Sequence, residues 1–337
     1  MSRSRPNFFY HLHPPSIPAR EARIPYTFGL GGISLLLFIV LGVTGVLEMF
    51  VYIPTLEGAH ESIRQITYRA PFGWLLRYMH FWAGQMMVGV VVLHMARVVL
   101  SGGYKGRRAN WVIGVVLLVL TLVLDFTGYV LRWDQDTSWA LMVGTNLLAT
   151  IPGIGPALYR FVVGGEAVSG ATLIRFYTWH VFGLALIASA LIAWHLFRVR
   201  RDGGISHRHA QPRVGREQLV RTEVAGALLT LVALIVLSLA LDAPLAPPAD
   251  PTALVGEPKA PWFFLWVQEM LRVASPFLAG VLAPLVILVL LGILPYALDR
   301  GDVGVAQWFN RPGRVLQIAF LLLLVGILTL TLRGVLR

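Results

Sequence analysis

Residues 74–97 read WLLRYMHFWAGQMMVGVVVLHMAR. The run is long and apolar enough to cross a bilayer, which takes about 20 residues, yet it carries His80 and His94. Fourteen residues at ~100° and ~1.5 Å each leave the second imidazole about 40° short of four turns and about 21 Å along the axis. Both rings therefore lie near one face, one toward each side of the membrane. Residues 173–198 repeat the arrangement with His180 and His195, whose fifteen-residue separation gives about 60° and about 22 Å. Two helices with histidines at matching depths can clamp two flat cofactors, one above the other.

A single intramembrane histidine is well explained by a bond to a neighbouring carbonyl. Two matched pairs are not, because ionisable groups in lipid are costly and usually functional. Zinc needs four ligands at one depth, whereas these four are split between two, which suits two bis-histidine b-type haems. The chain has no cysteine, so disulfides, thiolate metal sites and a CxxCH haem attachment are excluded.

The surrounding chain is that of a polytopic membrane protein: 337 residues, 56% hydrophobic, 13% charged, mean hydropathy +0.70. Apolar run lengths predict an all-α fold of seven transmembrane helices near 28–50, 74–99, 111–131, 174–198, 222–241, 276–298 and 314–333. The histidines fall in a four-helix bundle in the N-terminal half. A basic break near 205–221 divides a haem-binding domain, 1–205, from a three-span domain, 206–337. The net charge of +11 does not point to nucleic acid, because the arginines cluster beside the spans. Most of the 28 arginines and lysines lie in the N-terminal segment and the loops after spans two, four and six. By the positive-inside rule that side is cytoplasmic, with the C-terminus outside. The first 20 residues lack a signal-peptide core. The expected location is the bacterial cytoplasmic membrane, with membrane lipid as surroundings. The long outer loops, 132–173 and 242–275, are rich in aromatics, Gly and Pro, and are read as a roof over a site for a membrane-soluble substrate.

Glycines repeat the histidine interval: Gly31 and Gly45 in span one, Gly114 and Gly128 in span three. A glycine lets helix backbone approach a flat, bulky group closely. Arg77 and Arg175 sit toward the outer end of the two histidine helices and are candidates for pairing with haem propionates, since Arg binds carboxylates bidentately.

GGISLLLFIVLGVTG, RYMHFWAG, HMAR, GYVLRWDQDTSW, TNLLATIPGIG and GGEAVSGATLIRFYTWH together resemble cytochrome b of the cytochrome bc complexes, and the resemblance covers essentially the whole chain. It implies haem pairs His80 with His180 (outer) and His94 with His195 (cytoplasmic). The spacing of the second pair and the seven spans resemble the chloroplast-type (b6f) branch, whose two separate halves are fused here. That branch attaches an extra haem through a span-one cysteine, where this chain has Leu37. Arg132 stands where the family usually has proline. The family's outer loop carries Pro-Glu-Trp-Tyr; aligned through Trp262, this chain has Ala260, Pro261, Trp262 and Phe263.

The resemblance implies a quinol-oxidising, proton-translocating oxidoreductase subunit, with quinol as substrate. Its partners would be a Rieske-type iron–sulfur protein and a c-type cytochrome or equivalent acceptor, in a homodimeric complex. With the usual glutamate lost, Glu269 is the candidate proton acceptor of the outer site. Glu257 is the second candidate, beside Trp262. Arg200, five residues past His195, is the candidate for a quinone site on the cytoplasmic side. Two other readings stay open: a passive dihaem anchor relaying electrons without bifurcation, and a non-redox transporter using the histidines.

Overall fold

The computed structural model describes residues 15–19, 22–202, 204, 212–250, 259–301 and 303–337. Each apolar run forms a helix close to its expected limits. The seven candidate spans are α1 (Leu30–Met49), α3 (Gly73–Leu100), α4 (Arg108–Val130), α7 (Gly170–Arg201), α8 (Arg216–Ala240), α10 (Phe277–Leu298) and α11 (Arg314–Leu336). Shorter helices fill the loops: α2 (Gly58–Tyr68), α5 (Gln135–Ala149), α6 (Gly155–Val163) and α9 (Leu265–Leu271). The expected domain boundary at 205/206 touches residues outside those described. A two-stranded antiparallel ribbon, β1 (Ser16–Pro18) with β2 (Arg213–Gly215), ties the start of the described chain to the start of α8.

The bundle runs α1–α3–α4–α7, with α8 against α3 and α1, and α10 against α4. Leu37, on α1, is fully buried against Ala83, Met87 and Leu234, so the position the resemblance singles out is a packing position here. The entry to α3 is sterically fixed: a Cβ at Gly73 would lie 2.0 Å from the Ile66 carbonyl oxygen. Only glycine allows the α2–α3 turn to close so tightly.

One bond between the halves follows from backbone chemistry. Pro295, inside α10, has no N–H to offer the carbonyl four residues earlier. That carbonyl, Leu291, instead accepts from Trp111 Nε1 of α4 at 2.8 Å.

The arginine-rich end holds a buried ionic hub. Lys105 Nζ lies 2.7 Å from Asp299 Oδ2, donates to the Val303 carbonyl at 2.6 Å, and the Tyr104 hydroxyl donates to the same carboxylate at 2.5 Å. Burial, then the Asp299 hydrogen bond, raises the Tyr104 pKa above its ordinary value, so the hydroxyl stays a donor. Breaking a buried pair by removing one partner typically costs about 3–5 kcal/mol, whereas an apolar replacement of both is often neutral. Lys105→Met is therefore expected to lower the thermal midpoint of the detergent-solubilised protein, and Lys105→Met/Asp299→Leu to recover most of it. Equal midpoints for both variants would show that the pair does not hold these loops.

Candidate functional site

The four histidines converge on one cavity of about 620 Å³ inside the bundle. The His80 and His180 ring centroids lie 6.4 Å apart. Two metal–imidazole bonds of about 2 Å, with each ring centre about 1 Å beyond its nitrogen, span about 6 Å, so one metal atom fits between these rings. His94 and His195 line the same cavity one level away.

The second pair corrects the expected geometry. A π-turn, Trp179–Leu184, interrupts α7 at His180. A π-bulge takes up one extra residue without advancing the turn count, so fifteen residues here act as fourteen. The offset of His180 and His195 becomes about 40° short of four turns, the same as for His80 and His94, rather than about 60° beyond.

Each candidate glycine faces one histidine. A Cβ at Gly45 would meet His80 Cε1 at 3.1 Å, at Gly128 His180 at 2.6 Å, at Gly31 His94 at 3.3 Å, and at Gly114 His195 at 3.6 Å. The glycines thus leave room for the imidazoles as well as for whatever flat group lies between them.

Two threonines beside those glycines fix the His80 and His180 rings, and the sequence reading did not single them out. Thr44 Oγ1 donates to the Val40 carbonyl at 2.7 Å and lies 2.8 Å from His80 Nδ1. With its one proton committed, the hydroxyl accepts, so Nδ1 carries the hydrogen. Thr127 Oγ1 lies 3.1 Å from His180 Nδ1, which also donates to the Leu124 carbonyl at 3.0 Å. In both rings Nε2 is left with its lone pair free for a metal, the usual outer-shell control of a ligating histidine. The signal was present as a Thr-Gly step repeated at 44–45 and 127–128. The donor set, spacing and clearance fit a bis-histidine haem at the His80–His180 level.

Arg77 lines the cavity, buried, with Nη1 and Nη2 donating to the Ala243 and Pro244 carbonyls at 3.1 and 2.6 Å. Arg175 does not line it. Its Nη1 donates to the Phe161 carbonyl at 2.6 Å, in the last turn of α6, where a cation complements the helix dipole. The second arginine at this end of the cavity is Arg132, which pairs with Asp134 at 2.9 Å, donates to Pro244 at 3.3 Å and stacks on Tyr129. Asp134 in turn caps α5 through the Thr137 N–H at 3.0 Å and accepts from the Ala246 N–H at 3.2 Å. The two long loops are joined there.

Two acidic residues the sequence reading passed over, Glu48 and Asp125, also line the cavity, each with one buried carboxylate oxygen lacking a partner. They bracket His80 and His180, Glu48 three residues beyond Gly45 and Asp125 three before Gly128. Tyr52 roofs this end, donating to the Leu131 carbonyl at 2.8 Å and stacked on Tyr177. Burial, then the neighbouring Tyr177, raises its pKa, so it remains a donor. At the other end, Arg97, Arg200 and Glu223 of α8 line the cavity.

The outer-segment candidates fare differently. Trp262 donates through Nε1 to Gln85 Oε1 of α3 at 2.8 Å, and Gln85 lines the cavity. Glu269 does not. Its buried carboxylate is held by Arg272 at 2.9 Å, Arg333 at 3.2 Å and Arg337 at 3.7 Å, because α9 packs against the end of α11. Glu269 is thus an arginine-paired carboxylate away from the histidine cavity. Glu257 lies outside the described residues.

Comparison with known proteins agrees with this arrangement. Residues 18–203 match the family described as Cytochrome b/b6/petB, and residues 248–337 match Cytochrome b(C-terminal)/b6/petD. Cytochrome b6 of Synechococcus sp. (strain JA-3-3Ab) is 43% identical over 175 residues, 52% of this chain and 81% of the relative. Cytochrome b6 of Bigelowiella natans is 41% identical over the same shares. The fold is similar to that of a chain of "Hyperthermophilic respiratory Complex III", with a TM-score of 0.80 at 24% identity, covering 92% of this chain and 84% of that one. A histidine bundle matched by one model and a three-span half matched by the other, in a single polypeptide, place the chain in the cytochrome b family, as an integral membrane electron-transfer subunit with the b6-type and petD-type halves fused.

Proposed function

We propose that this chain is the cytochrome b subunit of a quinol-oxidising, proton-translocating complex, with one b haem held by His80 and His180 and a second by His94 and His195. The observation that carries the proposal is the register of the bundle: two histidine levels, each ring backed by its own glycine, around one cavity. When bound, the haems supply one-electron carriers at two depths of the bilayer.

The protein's own part is to position and to exclude water. Thr44 and Thr127 hold the Nδ1 protons and so aim Nε2 into the cavity. Arg77 and Arg132 place positive charge at the outer end, suited to propionates. With Glu269 engaged by arginines, Glu48 is the carboxylate positioned to accept a quinol proton at that end. Arg200 is the quinone contact proposed at the opposite end. The charge bias assigns that end to the cytoplasm and the C-terminus to the outside, in the bacterial cytoplasmic membrane. A Rieske-type iron–sulfur protein and a c-type cytochrome are the proposed acceptors, in a homodimer, and residues 1–205 and 206–337 are the proposed domains.

The arginine-bound Glu269 and Pro261 in the outer segment favour a second reading, a dihaem relay without bifurcation. The test is a reduced-minus-oxidised spectrum of the complex purified from native membranes, followed by quinol-driven reduction with the cytoplasmic-side quinone site inhibited. Two spectrally distinct b haems per chain and rapid reduction of the second are expected. A haem-free preparation from intact membranes would overturn the proposal, and two haems without quinol-driven reduction would select the relay.

A further inference from the structure

We propose a specific site for an anionic phospholipid at the arginine-rich end of the bundle, apart from the histidine cavity. A second cavity, of about 470 Å³, lies between the ends of α4, α7 and α10, with Lys105, Arg108, Arg198 and Arg300 in its wall. Among the described residues, the carboxylates in and beside its wall are already engaged. Asp299 is held by Lys105 and Tyr104, and Asp202 pairs with Arg198 at 3.4 Å and Arg201 at 3.0 Å. Arg108, stacked 5.2 Å from the Tyr296 ring centre, and Arg300 therefore leave positive charge facing the cavity. The start of α4 adds to it: Arg108 and Ala109 line the wall, and this helix has no capping side chain and no acidic residue in its first turn. Unsatisfied N–H groups and the dipole at such a terminus favour a phosphate.

A phosphate alone does not account for the walls above the cavity. One turn deeper on each helix, on the face of a lining residue, stands an exposed apolar side chain. Val112 follows Arg108 by four and is 47% exposed; Trp194 precedes Arg198 by four and is 49% exposed; Ile293 precedes Tyr296 by three and is 57% exposed. All three lie toward the bilayer centre from the cations, whichever way the helix runs. A basic pocket with an apolar wall directly beneath matches a phosphate headgroup with its acyl chains running down the bundle, the pattern by which pockets between helices on the positively charged side hold anionic lipids.

The test uses the intact complex, delipidated and returned to nanodiscs of phosphatidylcholine with or without phosphatidylglycerol, with native mass spectrometry reading the retained lipid. Wild type is expected to retain phosphatidylglycerol in preference to phosphatidylcholine. Arg108→Gln/Arg300→Gln is expected to weaken that preference about thirtyfold, at roughly the effect of one interfacial cation each. Arg311→Gln/Arg314→Gln, removing equal charge elsewhere at the same end, is expected to leave it within twofold. No preference in wild type would overturn the site, and this arm holds even if the variant fails to assemble. Equal losses in both double variants would reduce the effect to general surface potential and also overturn it. Displacement of the lipid by millimolar inorganic phosphate, with Trp194→Gln indifferent, would assign the pocket to a soluble anion instead.

Discussion

His80→Leu and His180→Leu are each expected to halve the haem content of the purified complex, removing one b-type spectrum and leaving the other. His94→Leu and His195→Leu should remove the complementary spectrum. The expectation rests on geometry. The 6.4 Å between the His80 and His180 rings leaves room for one metal atom bonded to both, so either ring alone gives a single axial bond. Leucine is also apolar and similar in bulk, so the bundle should still assemble, and the surviving haem serves as an internal control for folding. The check is the haem-to-protein ratio with low-temperature difference spectra. If His80→Leu and His195→Leu removed the same signal, the pairing would be wrong. An unchanged ratio in all four variants would remove the histidines from the site altogether.

The second large effect is expected from a methyl group. At Gly128 a Cβ would approach His180 Cε1 to 2.6 Å and both ring nitrogens to 3.2 Å or less. The ring cannot simply swing away, because its Nδ1 is fixed by Thr127 and the Leu124 carbonyl. Overpacking of this kind costs about 1–3 kcal/mol, and displacing the ring forfeits hydrogen bonds worth about 1 kcal/mol each. Gly128→Ala should therefore weaken haem retention at the His80–His180 level by tenfold or more. Gly114→Ala, whose Cβ would sit 3.6 Å from His195, should leave its own level intact. Measured haem loss during detergent dialysis distinguishes them, and equal loss in the two variants would mean the glycines do not act through the rings.

What was legible in the sequence was set by strong, local physics. The bilayer demands long apolar helices, so the spans could be placed to within a few residues. The price of intramembrane histidines made His80, His94, His180 and His195 conspicuous, and the fourteen-residue glycine spacing pointed to four positions that each face a histidine. The π-turn at 179–184 was not legible, because a bulge depends on tertiary packing and leaves no periodic trace in so apolar a run. Arg175 looked equivalent to Arg77 because both precede a histidine toward the same end of their helices, but near the start of α7 it reaches the Phe161 carbonyl at the end of α6 instead. The pairing of Glu269 with Arg272 was open to sequence reasoning, but Arg333 and Arg337 are remote in sequence and reach it only through the packing of α9 on α11. Thr44 and Thr127 were overlooked because a threonine in a membrane helix ordinarily satisfies itself on the preceding turn. These two do so and still accept a second bond.

Arg77 and Arg132 belong to the histidine half of the chain, yet both donate to the carbonyl of Pro244, in the strap that follows α8. The strap is also pinned to Asp134 through the Ala246 N–H. Two like charges share one anchor, and that anchor is supplied by the other half of the chain. A partner docking on the strap would shift both guanidiniums together and change the local electric field at the His80–His180 level without touching a ligand. The second half in this way sets where both guanidiniums sit relative to the His80–His180 level.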